Sequence, residues 1–150
     1  MDLILWRHCE AEAGEPDLGR RLTSKGIKQA ERMATWLDAH LPDTCRILVS
    51  PADRAQQTAL ALQRKFKTVP ELSPGASVSA VLAAVNWPES REPVLVVGHQ
   101  PTLGSVASFL LSGEEAYWSV RKGAVWWLSD RARDTGAAVT LKVVLGPDFV

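Results

Sequence analysis

Cysteine occurs only twice in this chain, histidine three times and tyrosine once, and each scarcity removes a class of function. Cys9 and Cys45 are too few for a disulfide framework and suit a reducing compartment. Neither opens a cysteine-phosphatase signature, because the position six residues on, where arginine is required, holds Glu15 in one case and Pro51 in the other. His8, His40 and His99 lie far apart without paired spacing, which argues against a zinc hydrolase, and no metal or other cofactor is expected. No glycine-rich loop ends in Gly-Lys-Ser or Gly-Lys-Thr, so a P-loop is absent. No apolar run approaches the length of a membrane span, and the N-terminal run is broken at Arg7, too early for a signal peptide. A cytoplasmic protein with no membrane contact is expected. The 17 basic and 17 acidic residues cancel and form no long block, so no nucleic-acid partner is expected either.

What is present is an ordinary globular composition, 46% apolar and 23% charged over 150 residues, enough for one domain spanning 1–150. Three apolar runs stand out: Leu3-Ile4-Leu5-Trp6, Ile47-Leu48-Val49 and Val94-Leu95-Val96-Val97. Unbroken runs of this kind suit strands buried on both faces, as in a parallel sheet. Each passes abruptly into polar chemistry: the first into Arg7-His8, the second into Ser50-Pro51-Ala52-Asp53-Arg54, the third into Gly98-His99-Gln100-Pro101. If the three are neighbouring parallel strands, Arg7, His8, Arg54 and His99 meet at the carboxyl edge of the sheet, where open α/β folds bind ligands.

Between the runs the pattern is helical. Thr23 offers an N-cap to a helix whose apolar face is Ile27, Ala30, Met33, Ala34, Leu37 and Leu41, stopped by Pro42. His40 then complements the dipole at the helix C-terminus. Ser50-Pro51 reads as a cap with proline at the first helical position, followed by a stripe of Ala55, Ala59, Leu62 and Phe66. Val69 to Leu72 is a short strand candidate, Ser77 caps a short helix, and Thr102 to Leu111 forms a last helix ending at Gly113. Gly123 to Leu128 and Val139 to Leu145 read as a hairpin joined by a turn over Asp130 to Gly136. Trp126 and Trp127 must face opposite ways on their strand, and an exposed indole beside Trp118 would be available to a partner.

Two guanidiniums and two imidazoles make a site for an anion. Arginine offers a planar fork to phosphoryl oxygens and keeps its charge. Histidine is partly unprotonated at neutral pH and can attack phosphorus, giving a phosphohistidine that water hydrolyses. Arg7, Arg54 and His99 can supply the charge that Mg²⁺ supplies elsewhere.

These residues, with Arg20-Arg21-Leu22-Thr23-Ser24-Lys25-Gly26 and the stretch from Val49 to Thr58, resemble the histidine phosphatase superfamily, and within it the SixA-type phosphohistidine phosphatases. The resemblance implies a three-layer α/β/α sandwich with a mostly parallel central sheet, like phosphoglycerate mutase. It implies His8 as the phosphorylated nucleophile, Arg7, Arg54 and His99 as the phosphoryl clamp, and Arg20 as a further basic residue at the pocket mouth. The adjacent Arg21 stands where relatives often have proline, which leaves open which of the pair faces inward.

Two positions depart from the family pattern. Cys9 replaces the glycine or alanine that follows the histidine, and a thiol there could make the enzyme sensitive to oxidation. A clear general acid is lacking, with Glu71 and Glu10 as loose candidates. A phosphoramidate needs less acid assistance than an ester, which favours phosphohistidine on a phosphorelay or phosphotransfer protein as the substrate, acted on by a monomer. The alternatives are a phosphatase of small phosphate esters and a non-catalytic phosphoprotein-binding module.

Overall fold

The computed structural model describes residues 1–130 and 139–150. Among these residues six strands form one sheet: β1 (Asp2–Arg7), β2 (Arg46–Val49), β3 (Lys67–Thr68), β4 (Val94–Gly98), β5 (Val125–Asp130) and β6 (Val139–Leu145). Their spatial order is β3-β2-β4-β1-β5-β6. The first four are mutually parallel, with Leu5 opposite Val96 and Leu48 opposite Val96 from the other side. Strands β5 and β6 add an antiparallel edge, as the hairpin reading requires, and the turn proposed over 130–136 lies almost wholly outside the described residues.

Among the described residues four α-helices cover the sheet: α1 (Ser24–His40), α2 (Asp53–Leu60), α3 (Val78–Ala84) and α4 (Thr102–Ser112). The alternation of side chains sorts the core into two layers. Ile4, Trp6, Ile47, Val49, Leu95 and Val97 pack with α1 and α2 on one face. Leu3, Leu5, Leu48, Val94 and Val96 pack with α3 and α4 on the other. This is a three-layer α/β/α sandwich. Leu3, Ile4, Leu5 and Trp6 have no exposed surface, and full burial of such a side chain stabilises the fold by about 1.5–3 kcal/mol. Because β1 sends its chain to α1 and its neighbour β4 sends its chain to α4 on the opposite face, a crevice opens between them at the carboxyl edge.

The strong local signals place their elements well. Thr23 Oγ1 accepts from Gly26 N at 2.9 Å and caps α1, which stops at Leu41 before Pro42. Ser77 caps α3, and Gly113, at φ +84, closes α4. Other expectations need correction. Ile27 lies beside the buried stripe of α1 and is 43% exposed, with Gly26 facing inward in its place. A Cβ on Gly26 would run into the carbonyl of Glu10, so glycine lets the helix start dock under the loop that follows β1. Ser50 does not cap α2, which begins at Asp53 behind Ala52; Leu62 and Phe66 lie beyond its end at Leu60. The third strand is Lys67–Thr68, because Pro70 starts a 3₁₀ turn over Pro70–Leu72 where a strand was expected.

The tryptophans divide between the layers. Trp127 donates from Nε1 to Asp2 Oδ2 at 3.0 Å and meets Trp36 edge-on, while Trp126 lies half-buried 6.2 Å from Trp118 on the other face. His40 stacks on Trp36 at 4.3 Å at the end of α1. Among the described residues no helix is long and apolar enough to cross a membrane.

Candidate active site

The sheet ladder itself draws the strand ends together. His8 N donates to Gly98 O and Ser50 N donates to Val97 O, both at 3.1 Å, so pairing continues one residue past each strand. His8 and His99 thereby face each other with ring centroids 5.2 Å apart. Arg54 enters from the first turn of α2, which begins three residues after Ser50. All four residues singled out from the sequence converge at the carboxyl edge, and His8, Arg54 and His99 are buried.

Each side chain is held. His8 Nδ1 lies 2.8 Å from the carbonyl of Cys9. A carbonyl only accepts, so Nδ1 carries the hydrogen and Nε2 presents its lone pair. Burial, assisted by Arg54, Arg7 and Arg20, outweighs that hydrogen bond and pushes the His8 pKa down to about 4, leaving the ring neutral at pH 7. Burial, the neighbouring His8 and Arg54 push His99 down to about 3. His99 Nε2 lies 2.7 Å from Ser50 Oγ, which also accepts from Ala52 N at 3.2 Å. Ser50 is fully buried and its hydroxyl has no other acceptor among the described residues, so the arrangement that satisfies it gives its hydrogen to His99 Nε2 and makes His99 Nδ1 a donor. This explains why Ser50 is not a helix cap: its oxygen serves the histidine.

Arg7 Nη1 donates to Val120 O at 2.9 Å, and burial lowers its pKa. Arg54 Nη1 donates to the carbonyl of Asp17 at 2.7 Å and Nη2 to its carboxylate at 3.2 Å. Three buried polar atoms of this cluster have no hydrogen-bond partner: Arg7 Nε, Arg54 Nε and His99 Nδ1. Unpartnered buried polar atoms are costly, and the three beside a neutral histidine are groups that an anion would satisfy. Two hollows of about 540 and 550 Å³ flank the β2–β3 edge and contain none of these residues; the chemistry of the donors, not cavity size, marks the site.

Residues 3–77 match the histidine phosphatase superfamily, branch 1. Over 123 residues the chain is 35% identical to the phosphohistidine phosphatase SixA of Escherichia coli (strain K12), covering 76% of each. The chain belongs to the histidine phosphatase superfamily. A SixA homolog of Haemophilus influenzae is 34% identical over 126 residues, covering 73% of this chain and 77% of that protein. A solved structure of the protein histidine phosphatase SixA complexed with tungstate superposes with a TM-score of 0.81 at 27% identity, covering 99% of this chain and 98% of that one. The chain is a phosphatase by family and has the histidine phosphatase fold.

The remaining candidates of this histidine phosphatase sort by geometry. Arg20 donates from Nη1 to Asp17 Oδ1 at 3.0 Å and from Nε to Glu12 O at 2.7 Å, which puts it at the mouth beside Arg54; Arg21 is exposed. Glu10 turns its carboxylate to the Thr23 hydroxyl at 2.8 Å, under the start of α1. Glu71 is exposed on the turn after β3, lines a hollow with Arg46, Lys67 and Ala80, and bonds to none of the cluster. Cys9 has no exposed surface and burial pushes its thiol up to about 12, so the structure argues against the sensitivity to oxidation expected from its place beside His8.

Several residues of the site gave no signal as sequence. Thr58 Oγ1 accepts from Cys9 N at 3.1 Å and donates to Arg54 O at 2.8 Å, joining the loop after β1 to α2. Gln57 accepts from Leu22 N at 2.7 Å. Gln100 donates to Trp118 O and accepts from Gly104 N, which holds the segment carrying Val120 against α4. Their position within the Arg54–Thr58 and His99–Pro101 stretches was the available signal. Asp17 had none: it is one acid in a polar loop, 37 residues from its partner.

Proposed function

We propose that this histidine phosphatase removes the phosphoryl group from phosphohistidine on a partner protein, through a covalent intermediate on His8 and with charge supplied by arginines in place of a metal ion. The observation that carries the reading is a neutral His8 with its Nε2 lone pair free, set among three unpartnered donors. His8 Nε2 attacks phosphorus, and the bond from phosphorus to the substrate's ring nitrogen breaks. Arg7, Arg54 and His99 Nδ1 bind the phosphoryl oxygens as charge builds on them. A phosphohistidine carrying a proton on its other ring nitrogen departs as neutral imidazole, so the leaving group takes no proton from the protein. Water then attacks the phosphoryl group on His8, yielding orthophosphate and free His8.

An ester would expel an alkoxide and require an acid. Neither Glu71 nor Glu10 meets the four clustered residues, which favours the phosphoramidate. The relatives named for phosphohistidine support the same choice. The reading has the protein working as a cytoplasmic monomer on a phosphorelay or phosphotransfer protein. The test is phosphate release in EDTA from phosphohistidine protein, phosphoserine peptide and small esters, with wild type and His8→Ala. Release from phosphohistidine alone, reduced at least a thousandfold in His8→Ala, is expected. Equal or faster release from esters would overturn the substrate, and no release at all would leave a binding module.

A further inference from the structure

The loop between β1 and α1 places a carboxylate against the guanidinium that clamps the anion. Asp17 holds Arg54 through two contacts, its main-chain oxygen at 2.7 Å from Nη1 and its Oδ2 at 3.2 Å from Nη2, and its Oδ1 lies 3.0 Å from Arg20. The Arg54 side chain is 5% exposed, whereas that of Asp17 is 52% exposed. Asp17 thus takes one N–H from each terminal nitrogen of Arg54, leaving the second hydrogen of each and the unpartnered Nε for another anion. Any phosphoryl group bound by Arg54 shares that cation with a second anion.

The charges can be counted from the site. Arg7, Arg20 and Arg54 bring three positive charges and the imidazoles bring none at neutral pH. Asp17 removes one, leaving two against the two negative charges of a phosphoryl dianion. Without Asp17 the pocket would hold the anion more tightly, and orthophosphate, which offers the same oxygens as the substrate, would be retained after hydrolysis. Tight binding of substrate and product alike gives no catalytic gain, because only interactions stronger in the transition state raise the rate.

We propose that Asp17 is a positioning residue that sets the anion affinity of the pocket: its carboxylate fixes Arg54 in place and competes with the phosphoryl group for it, so that orthophosphate is released. The proposal rests on the phosphoryl-binding reading of the site. Asp17→Asn is the informative variant, because it keeps the main-chain oxygen, the shape and a side-chain oxygen for Nη2 while removing the charge. Asp17→Glu keeps the charge.

The experiment is calorimetric titration of inorganic phosphate into wild type, Asp17→Asn, Asp17→Glu and Arg54→Ala, with steady-state and rapid-quench kinetics on phosphohistidine protein. Asp17→Asn is expected to bind phosphate about tenfold more tightly, the half-exposed carboxylate being partly screened by solvent. It should also lower KM and kcat together and show a burst of product before a slower steady state. Asp17→Glu should stay within about twofold of wild type, since an exposed carboxylate can adjust its reach. Phosphate binding by Asp17→Asn that is unchanged or weaker overturns the proposal, as does an Asp17→Glu that behaves like Asp17→Asn. If wild type binds no phosphate and Arg54→Ala changes nothing, the phosphoryl reading of the pocket falls and the proposal with it; that outcome is distinct from phosphate binding that is lost in Arg54→Ala and indifferent to position 17.

Discussion

His8, His99 and Ser50 stand at the ends of three adjacent parallel strands, whereas Asp17 and Arg20 reach the same pocket from a loop, and the two walls owe their positions to different forces. The strand wall is held by ladder hydrogen bonds continuing past β1 and β2 and by fully buried side chains beneath them. The loop wall is held by ion pairs and by the carbonyls of Glu12 and Asp17, with the Asp17 side chain half exposed and that of Arg20 partly so. Burial gives the strand wall its depressed histidine pKa values and its unpartnered donors. Exposure leaves the loop wall screened and adjustable. The proposed nucleophile and His99 sit on the strand side, Arg54 joins the two walls, and the residues proposed to tune its charge sit on the loop side.

The comparison can be broken first from beneath the strand wall. Leu5→Ala removes a fully buried side chain between β4 and β5 and should cost about 2–5 kcal/mol of stability, read as a lower denaturant midpoint. Acid should act on the same wall. His8 and His99 titrate near 4 and 3 when folded and near 6.5 when unfolded, so below pH 6.5 the unfolded chain binds the extra protons. Stability is full above pH 6.5 and should fall by a few kcal/mol as pH drops towards 4, measured by urea melts across that range. Activity should hold down to about pH 5 and fall as His8 becomes protonated and loses its lone pair.

On the loop wall the effects should be smaller. Arg20→Ala should raise KM for phosphohistidine protein about tenfold with little change in melting, since a screened pair contributes about 1 kcal/mol or less to folding. The smallest effect is expected at the thiols. Burial pushes the thiol of fully buried Cys9 up to about 12, so iodoacetamide at pH 8 should leave it unmodified in the native protein, as mass spectrometry would read, while half-buried Cys45 should react first, with activity retained. Rapid modification of Cys9 would show that the strand wall opens.

The same division decides what the sequence disclosed. Strands β1, β2 and β4 were legible because a buried parallel strand is written as an unbroken apolar run, and the switch to Arg7-His8 or Gly98-His99 marks where it ends. Thr23, Ser77 and Gly113 were legible because caps act within a few residues. The start of α2 was misplaced because Ser50 has two possible uses, and its choice depends on His99, 49 residues away. Asp17 and the carbonyl of Val120 escaped for the same reason: their partners are fixed by the fold, and a lone acid in a loop or a peptide oxygen carries no local mark.

The carbonyl of Cys9, which sets the His8 tautomer, belongs to the chain rather than to a side chain. Every amino acid that could replace Cys9 brings the same oxygen, so no point mutation at position 9 can delete the acceptor. What a replacement at position 9 changes is the side chain packed against Leu22, Ala30 and the close approach of Gly123. A thiol can stand beside His8 because the imidazole draws its orientation from the main chain of residue 9, which every substitution there retains.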